Sequence, residues 1–390
     1  MSEISIKKSY EEINEKIKKG KAVVVTAAEM PEIVKEQGVK EAFKKVDVVT
    51  TGTFGTMCSS GAFLNFGHTK PKIRATKVWL NNVEAYASIA AVDCYLGATQ
   101  VRDNDPLNGV HPGAFKYGGG HVIEDLIAGK TVKLKAQSYG TDCYPCREFS
   151  KNVKISDLRD AMLFNPRNSY QNYNSAVNTT KKLIYTYMGI LRPEMGNVTY
   201  SSAGQLSPLL NDPYYWTIGP GTKIFLAGAV GSVAWNGTQH APLSERDENG
   251  MVTGGAGTIS VVGNMKEMSS EYIRGASITG YGTSLMVGIG IPIPIINEDM
   301  AFFTGLRDSD IKVPLIDYGK DYPEGSDNIL AHFNYAEMKS GSITYRGREI
   351  PTSPLSSYSK AVEIAEKLKG WINSGFTLGA PQQQIPTADR

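Results

Sequence analysis

Three apolar stretches in the second half of the chain are each cut by glycine: "GTKIFLAGAVGSVAWNG", "GAGTISVVGNM" and "GTSLMVGIGIPIPII". Glycine weakens a helix interior, and inside a strand it marks the close approach of another backbone. The pattern predicts short buried strands packed tightly against their neighbours. Buried helices are the other reading of such runs, because periodicity alone does not separate the two. None of the runs nears the ~18 apolar residues of a membrane span. Glycine makes up 40 of the 390 residues, against roughly 27 at average usage.

The first half alternates helix and strand signals. Residues 9–19 read as a surface helix, with Ser9 and Glu12 as a capping box and Ile13 and Ile17 on its apolar side. "AVVVTAAEM" reads as a strand, "VKEAFKKV" as a short helix and "DVVTTG" as a second strand. That alternation predicts an α/β fold of mixed layered sheets with helices, and a glycine-rich, β-prone second half. "TGTFGTMCSSGAFLNFGHTKP" reads as a Gly/Ser/Thr loop at a strand's C-terminal end, where ligands collect in open α/β sheets. "VEAYASIAAVDCYLGATQV" suggests a buried helix entering a strand, and "VIEDLIAG" a helix closed by Gly129. "KTVKLKAQSYG" alternates as a strand, and "ISDLRDAMLF" suggests a helix capped by Ser156. "NPRNSYQNYNSAVNTTKK" is a polar stretch that is costly to bury unless it lines a site. "SSYSKAVEIAEKLKGWINSG" is the clearest helix, with Gly375 suited to its C-terminal cap and a frayed tail expected after it. The organisation expected is an α/β unit over 1–150 carrying the Cys58 and Cys143 loops, an Asn-rich then glycine-rich region over 151–350, and a helix and tail over 351–390. One interwoven domain is the alternative.

Charge excludes some partners. With 41 Lys plus Arg against 39 Asp plus Glu, the net charge of +2 gives no electrostatic case for nucleic acid or anionic membrane. The N-terminus, "MSEISIKKSYEEINEKIKKG", has no signal-peptide core, so a cytoplasmic protein is expected. Assembly as a homo-oligomer stays open.

The four cysteines are Cys58, Cys94, Cys143 and Cys146. Four are too few for a disulfide framework in a chain of this length. Cys94, in "AAVDCYLG", reads as a small buried hydrophobe. Cys143 and Cys146 have C-x-x-C spacing in "YGTDCYPCREFSKN", which admits several chemistries. A dithiol relay is disfavoured by Asp142 beside Cys143, because a neighbouring carboxylate opposes a thiolate. A zinc site would need His111, His121 or Cys58 to complete it, and no spacing demands that. Cys58, Cys143 and Cys146 as ligands of a 4Fe–4S cluster are another reading. The last is a sulfur carrier: a loop thiolate favoured by Arg147, with Cys58 in a separate glycine-rich loop as giver or receiver of sulfur. His68 and His240 are the histidines in the most site-like loops.

Together "TTGTFGTMCSSGAFLNFGH", "YGTDCYPCRE", "NPRNSYQNYN" and "IFLAGAVGSVAWNGTQH" resemble the homocysteine biosynthesis protein family, over about residues 10–380. The resemblance implies a sulfurtransferase that adds sulfur to the aldehyde carbon of L-aspartate semialdehyde, with net reduction, giving L-homocysteine through a cysteine persulfide. It implies Cys58 and Cys143 as the functional cysteines; Cys146 stands beside them as a further candidate from its spacing. Sulfide or another sulfur donor, and a ferredoxin-like electron-donor protein, are the partners it implies. The chemistry matches the residues: an aldehyde is an electrophile, and backbone N–H groups of glycine-rich loops can hold the oxyanion formed on addition. No dinucleotide fingerprint follows a strand, so no nicotinamide cofactor is expected. Arg147 and Arg167, with Arg192 behind them, are candidates for the substrate carboxylate. Tyr144, Asn168 and Asn172 are candidates for ordering substrate, and His240 for protonating the departing oxygen.

Overall fold

The computed structural model describes residues 7–168, 171–325 and 327–388. Among these, the largest sheet has nine strands, and it is almost wholly antiparallel meander and hairpin. Its order runs 273–278, 282–290, 223–226, 229–235, 259–264, 160–168, 61–65 and 93–97, with 53–56 paired to 282–290. Strands from either side of residue 150 therefore lie side by side. A six-stranded sheet (329–334, 312–317, 175–177, 198–200, 348–354, 342–345) stands next to it. Smaller sheets hold 83–85, 77–80, 132–137 and 148–153, and 24–26, 48–50 and 292–294. The architecture is α/β, with parallel pairs such as Val24–Thr26 on Val48–Thr50.

The glycine-cut runs are strands, as their composition predicts. Ile289 and Gly290 pair with 225–226, and a Cβ on Gly290 would meet Ile364 at 3.0 Å. The partner there is helix Tyr358–Asn373, capped by Ser357 and followed by Gly375 at φ 98°. Its Ile364, Ala365, Leu368 and Ile372 are buried against the sheet. Helix Tyr10–Lys18 has the expected capping box, with Ile13 and Ile17 buried.

Four expectations give way. The segment from Thr53 is no open loop: Thr53–Thr56 and Gly61–Asn65 are strands, with Cys58 in the turn between them. A Cβ on Gly61 would meet the Tyr95 hydroxyl at 2.2 Å, so this glycine serves strand packing. Val83–Ala85 is a strand where a buried helix was expected, and Asp93–Gly97 is the strand expected after it. "ISDLRDAMLF" is a single 3-10 turn, Ile155–Asp157, followed by the long strand Asp160–Asn168. The tail is docked rather than frayed: Gln382 N–H donates to Pro220 O at 2.8 Å and Ile385 is buried.

Candidate active site

A cavity of about 350 Å³ opens between the two large sheets. Cys58 lies in its wall, and strand register explains why. Met286 pairs with Thr56 in the antiparallel ladder, so two residues further on Ser284 stands across from Cys58. The ladder is prolonged into the turn by Met57 N–H, which donates to Leu285 O at 2.7 Å. The Cys58 sulfur then sits 3.1 Å from the buried Ser284 hydroxyl. The opposite wall comes from the six-stranded sheet. Strands 198–200 and 348–354 run parallel, and their C-terminal ends deliver Ser201, Ser202, Leu355 and Ser356 to the cavity.

Arg167 enters the same cavity through a defect in its strand. The pairing with 259–264 slips between Asn165 and Asn168, leaving one extra residue, and Pro166 has no N–H for the ladder. Asn165 stabilises the bulge from inside: its Oδ1 accepts from Arg167 N–H at 2.9 Å and its Nδ2 donates to Ser60 Oγ at 3.0 Å. One buried amide thus ties the Cys58 turn to the Arg167 backbone. Tyr281 completes the group: its side chain lines the same cavity as Cys58, and the two interact electrostatically. Burial pushes this phenol up to about 12, the charge on Cys58 adds to the shift, and Arg167 opposes it. Tyr281 therefore keeps its proton at neutral pH.

The other sequence candidates lie elsewhere. Cys143 is exposed at the tip of hairpin 132–153, where Thr141 and Tyr144 exchange backbone hydrogen bonds at 2.9 and 3.0 Å. Tyr144 and Arg147 belong to this tip, and Arg147 lies along Gly140. Cys146 is half-buried; its N–H donates to Lys72 O and its thiol to Glu148 O. Phe149 at the base of the tip stacks on Phe66. The tip therefore contacts residues that follow strand Gly61–Asn65, whereas Cys58 precedes that strand. A five-residue strand spans roughly 16 Å. Cys143 does not line the cavity that holds Cys58.

Among the described residues no three His, Cys, Asp or Glu side chains converge as a metal-binding group. Cys58, Cys143 and Cys146 thus do not fit a 4Fe–4S cluster within one chain, and no step is derived through one.

His240 is outside the cavity. Its Nδ1 accepts from Thr258 N–H at 3.0 Å, which leaves Nε2 to donate to Pro386 O at 2.7 Å. This ring fastens the tail, and its neighbour Gln239 is the residue that reaches the cavity. Asn172 is fully buried and spends its amide on Val252 O, Lys312 O and the Tyr335 hydroxyl, so it holds the core together. The side chain of Asn168 lies outside the described residues. Arg192 and His68 are exposed. Cys94 is 1% exposed and its thiol is pushed up to about 12, first by burial and then by Asp93. Ser284 and Tyr281 were missed in the sequence. Their only local signal is "TGYGTS", a tight turn entering an apolar run.

A cavity holding a cysteine sulfur, a single cation and many hydroxyls suits a small anionic electrophile. The family described as "Homocysteine biosynthesis enzyme, sulfur-incorporation" matches residues 22–378. The chain belongs to this family of sulfur-incorporating enzymes. An L-aspartate semialdehyde sulfurtransferase of Methanosarcina acetivorans is 50% identical over 97% of this chain and 72% of its own length. A second protein of that name, from Methanocaldococcus jannaschii, is 49% identical over 96% of this chain and 72% of its own. An uncharacterized protein of Methanothermobacter thermautotrophicus is 28% identical over 85% of this chain. No solved structure matches.

Proposed function

We propose that this chain transfers sulfur reductively to L-aspartate semialdehyde, forming L-homocysteine. The observation that carries the reading is the pairing of the Cys58 sulfur with Arg167 in one small cavity. Arg167 binds the substrate carboxylate through its planar fork of donors, and the aldehyde carbon is presented to sulfur at Cys58. Replacing the aldehyde oxygen by sulfur consumes one sulfide, two electrons and two protons and releases water. Sulfur that arrives as a persulfide needs a second electron pair, to reduce the sulfur itself. The electrons come from a partner protein of the ferredoxin-like kind. Cytoplasmic conditions keep the exposed thiols reduced. No helix among the described residues is long and apolar enough to cross a membrane.

Cys143, on its exposed tip, takes sulfur from the donor, and Cys58 presents it to the aldehyde. Because the two are apart within a chain, sulfur passes from the tip of one copy to the cavity of another in a homo-oligomer. Cys58→Ser and Cys143→Ser should each abolish homocysteine formation while leaving the thermal midpoint near wild type. The checks are product yield from aspartate semialdehyde, sulfide and reductant, with a melting curve beside it. Wild-type yield in either variant would remove that cysteine from the reaction.

A further inference from the structure

Tyr281 sits on the two-strand turn that joins 273–278 to 282–290, and the turn is clamped. Tyr281 N–H donates to Ile278 O at 3.0 Å, and Gly280 N–H donates to Gly113 O at 2.9 Å. Gly280 is at φ 75°, and a Cβ there would meet Tyr185 at 2.4 Å. The next strand carries Ser284 to within 3.1 Å of the Cys58 sulfur. The Tyr281 ring is half open, at 42% exposure, with the Tyr187 ring 6.1 Å away. Among the described side chains lining the cavity there is no His, Lys, Asp or Glu. The proton needed when an aldehyde oxygen gains charge must therefore come from a hydroxyl or from water.

We propose that Tyr281 is the catalytic proton donor of the addition step. This rests on the function proposed above. In the step, an electron pair on the sulfur at Cys58 forms the new C–S bond. The C=O π bond breaks, its electrons go to oxygen, and the Tyr281 O–H proton follows them. The tyrosinate left behind recovers a proton from solvent at the open mouth of the cavity. No electrons are consumed here; the reductant acts later. Ser284 holds the sulfur, 3.1 Å away, and the Tyr281 hydroxyl serves the oxygen as the bond forms. Burial keeps the phenol protonated at neutral pH, so the proton is in place to be donated as the oxygen gains charge.

Tyr281→Phe should lower kcat roughly 100-fold or more and leave KM within about twofold, in line with the loss of a general acid. A second readout needs no turnover. In a Cys143→Ser, Cys146→Ser background, iodoacetamide alkylation of Cys58 is followed against pH. Tyr281→Phe removes the hydroxyl that interacts with the thiolate, so the alkylation midpoint should move up. With 3-fluorotyrosine at position 281, whose phenol is more acidic, the alkaline limb of kcat should move towards neutrality. Wild-type kcat in Tyr281→Phe, or a lower kcat with an unmoved Cys58 midpoint, would overturn the proposal. If the wild-type chain made no homocysteine while the midpoint still moved, the substrate assignment would fall and the Tyr281–Cys58 contact would stand.

Discussion

Arg167 is a cavity residue because of its neighbours, Asn165 and Pro166. A regular strand would alternate side chains between faces, and the extra residue at the bulge changes that alternation. Arg167→Gln should raise KM for aspartate semialdehyde roughly 10- to 150-fold, the equivalent of about 1.5–3 kcal/mol for a charge-assisted hydrogen bond. Arg167→Lys should recover part of this, because an ammonium keeps the charge and loses the fork. Steady-state kinetics on the two variants is the measurement, and an unchanged KM in Arg167→Gln would move the carboxylate elsewhere. The sequence offered Arg147 and Arg167, with Arg192 behind them. Arg147 and Arg167 both follow a proline closely, and what separates them is a ladder slip against residues about 95 positions away. His240 misleads for a similar reason. Its loop composition is site-like, yet its partners are Thr258 and Pro386, which no local pattern reveals.

Helices with caps were legible at the scale of the element. The Ser9–Glu12 capping box starts one helix and Gly375 follows the end of another, and the apolar spacing of both matches their buried sides. The glycine-cut strands of the second half were legible too, but Thr53–Asn65 was not, since glycine signals both a turn and a close backbone contact. Thr53–Asn65 belongs to the second kind. Helix Gly119–Ile127 shows how close such contacts run: a Cβ on Gly120 would meet Ser284 O at 2.0 Å. The helix start therefore rests directly on the residue that holds the Cys58 sulfur. Gly120→Ala must push the helix and that strand apart, with an overpacking cost of roughly 1–3 kcal/mol. The expected result is a lower melting temperature together with a changed alkylation rate at Cys58. A variant with lowered stability and unaltered Cys58 reactivity would show that the strain is absorbed away from the site.

At the scale of the whole molecule, the Cys58 turn joins two strands of the largest sheet, whereas the Cys143 tip belongs to the four-stranded sheet. The cysteine motifs were legible in the sequence, but their separation was not, because it depends on which sheet each hairpin joins. The geometry has a consequence for inheritance of function between copies. If the exposed Cys143 loads sulfur and a different copy's Cys58 uses it, the two roles can be divided between chains. A Cys58→Ser chain keeps its loading tip, and a Cys143→Ser chain keeps its cavity. Each alone should form no homocysteine, and an equimolar mixture, dissociated and reassembled together, should regain about a quarter to a half of wild-type activity, as expected when only some cross-copy pairings carry both intact thiols. Mixing without reassembly should give less, since subunit exchange is then the slow step. A reassembled mixture as inactive as its components would mean that sulfur stays within one chain, which the separation of Cys143 from the cavity would then require a large movement of hairpin 132–153 to achieve.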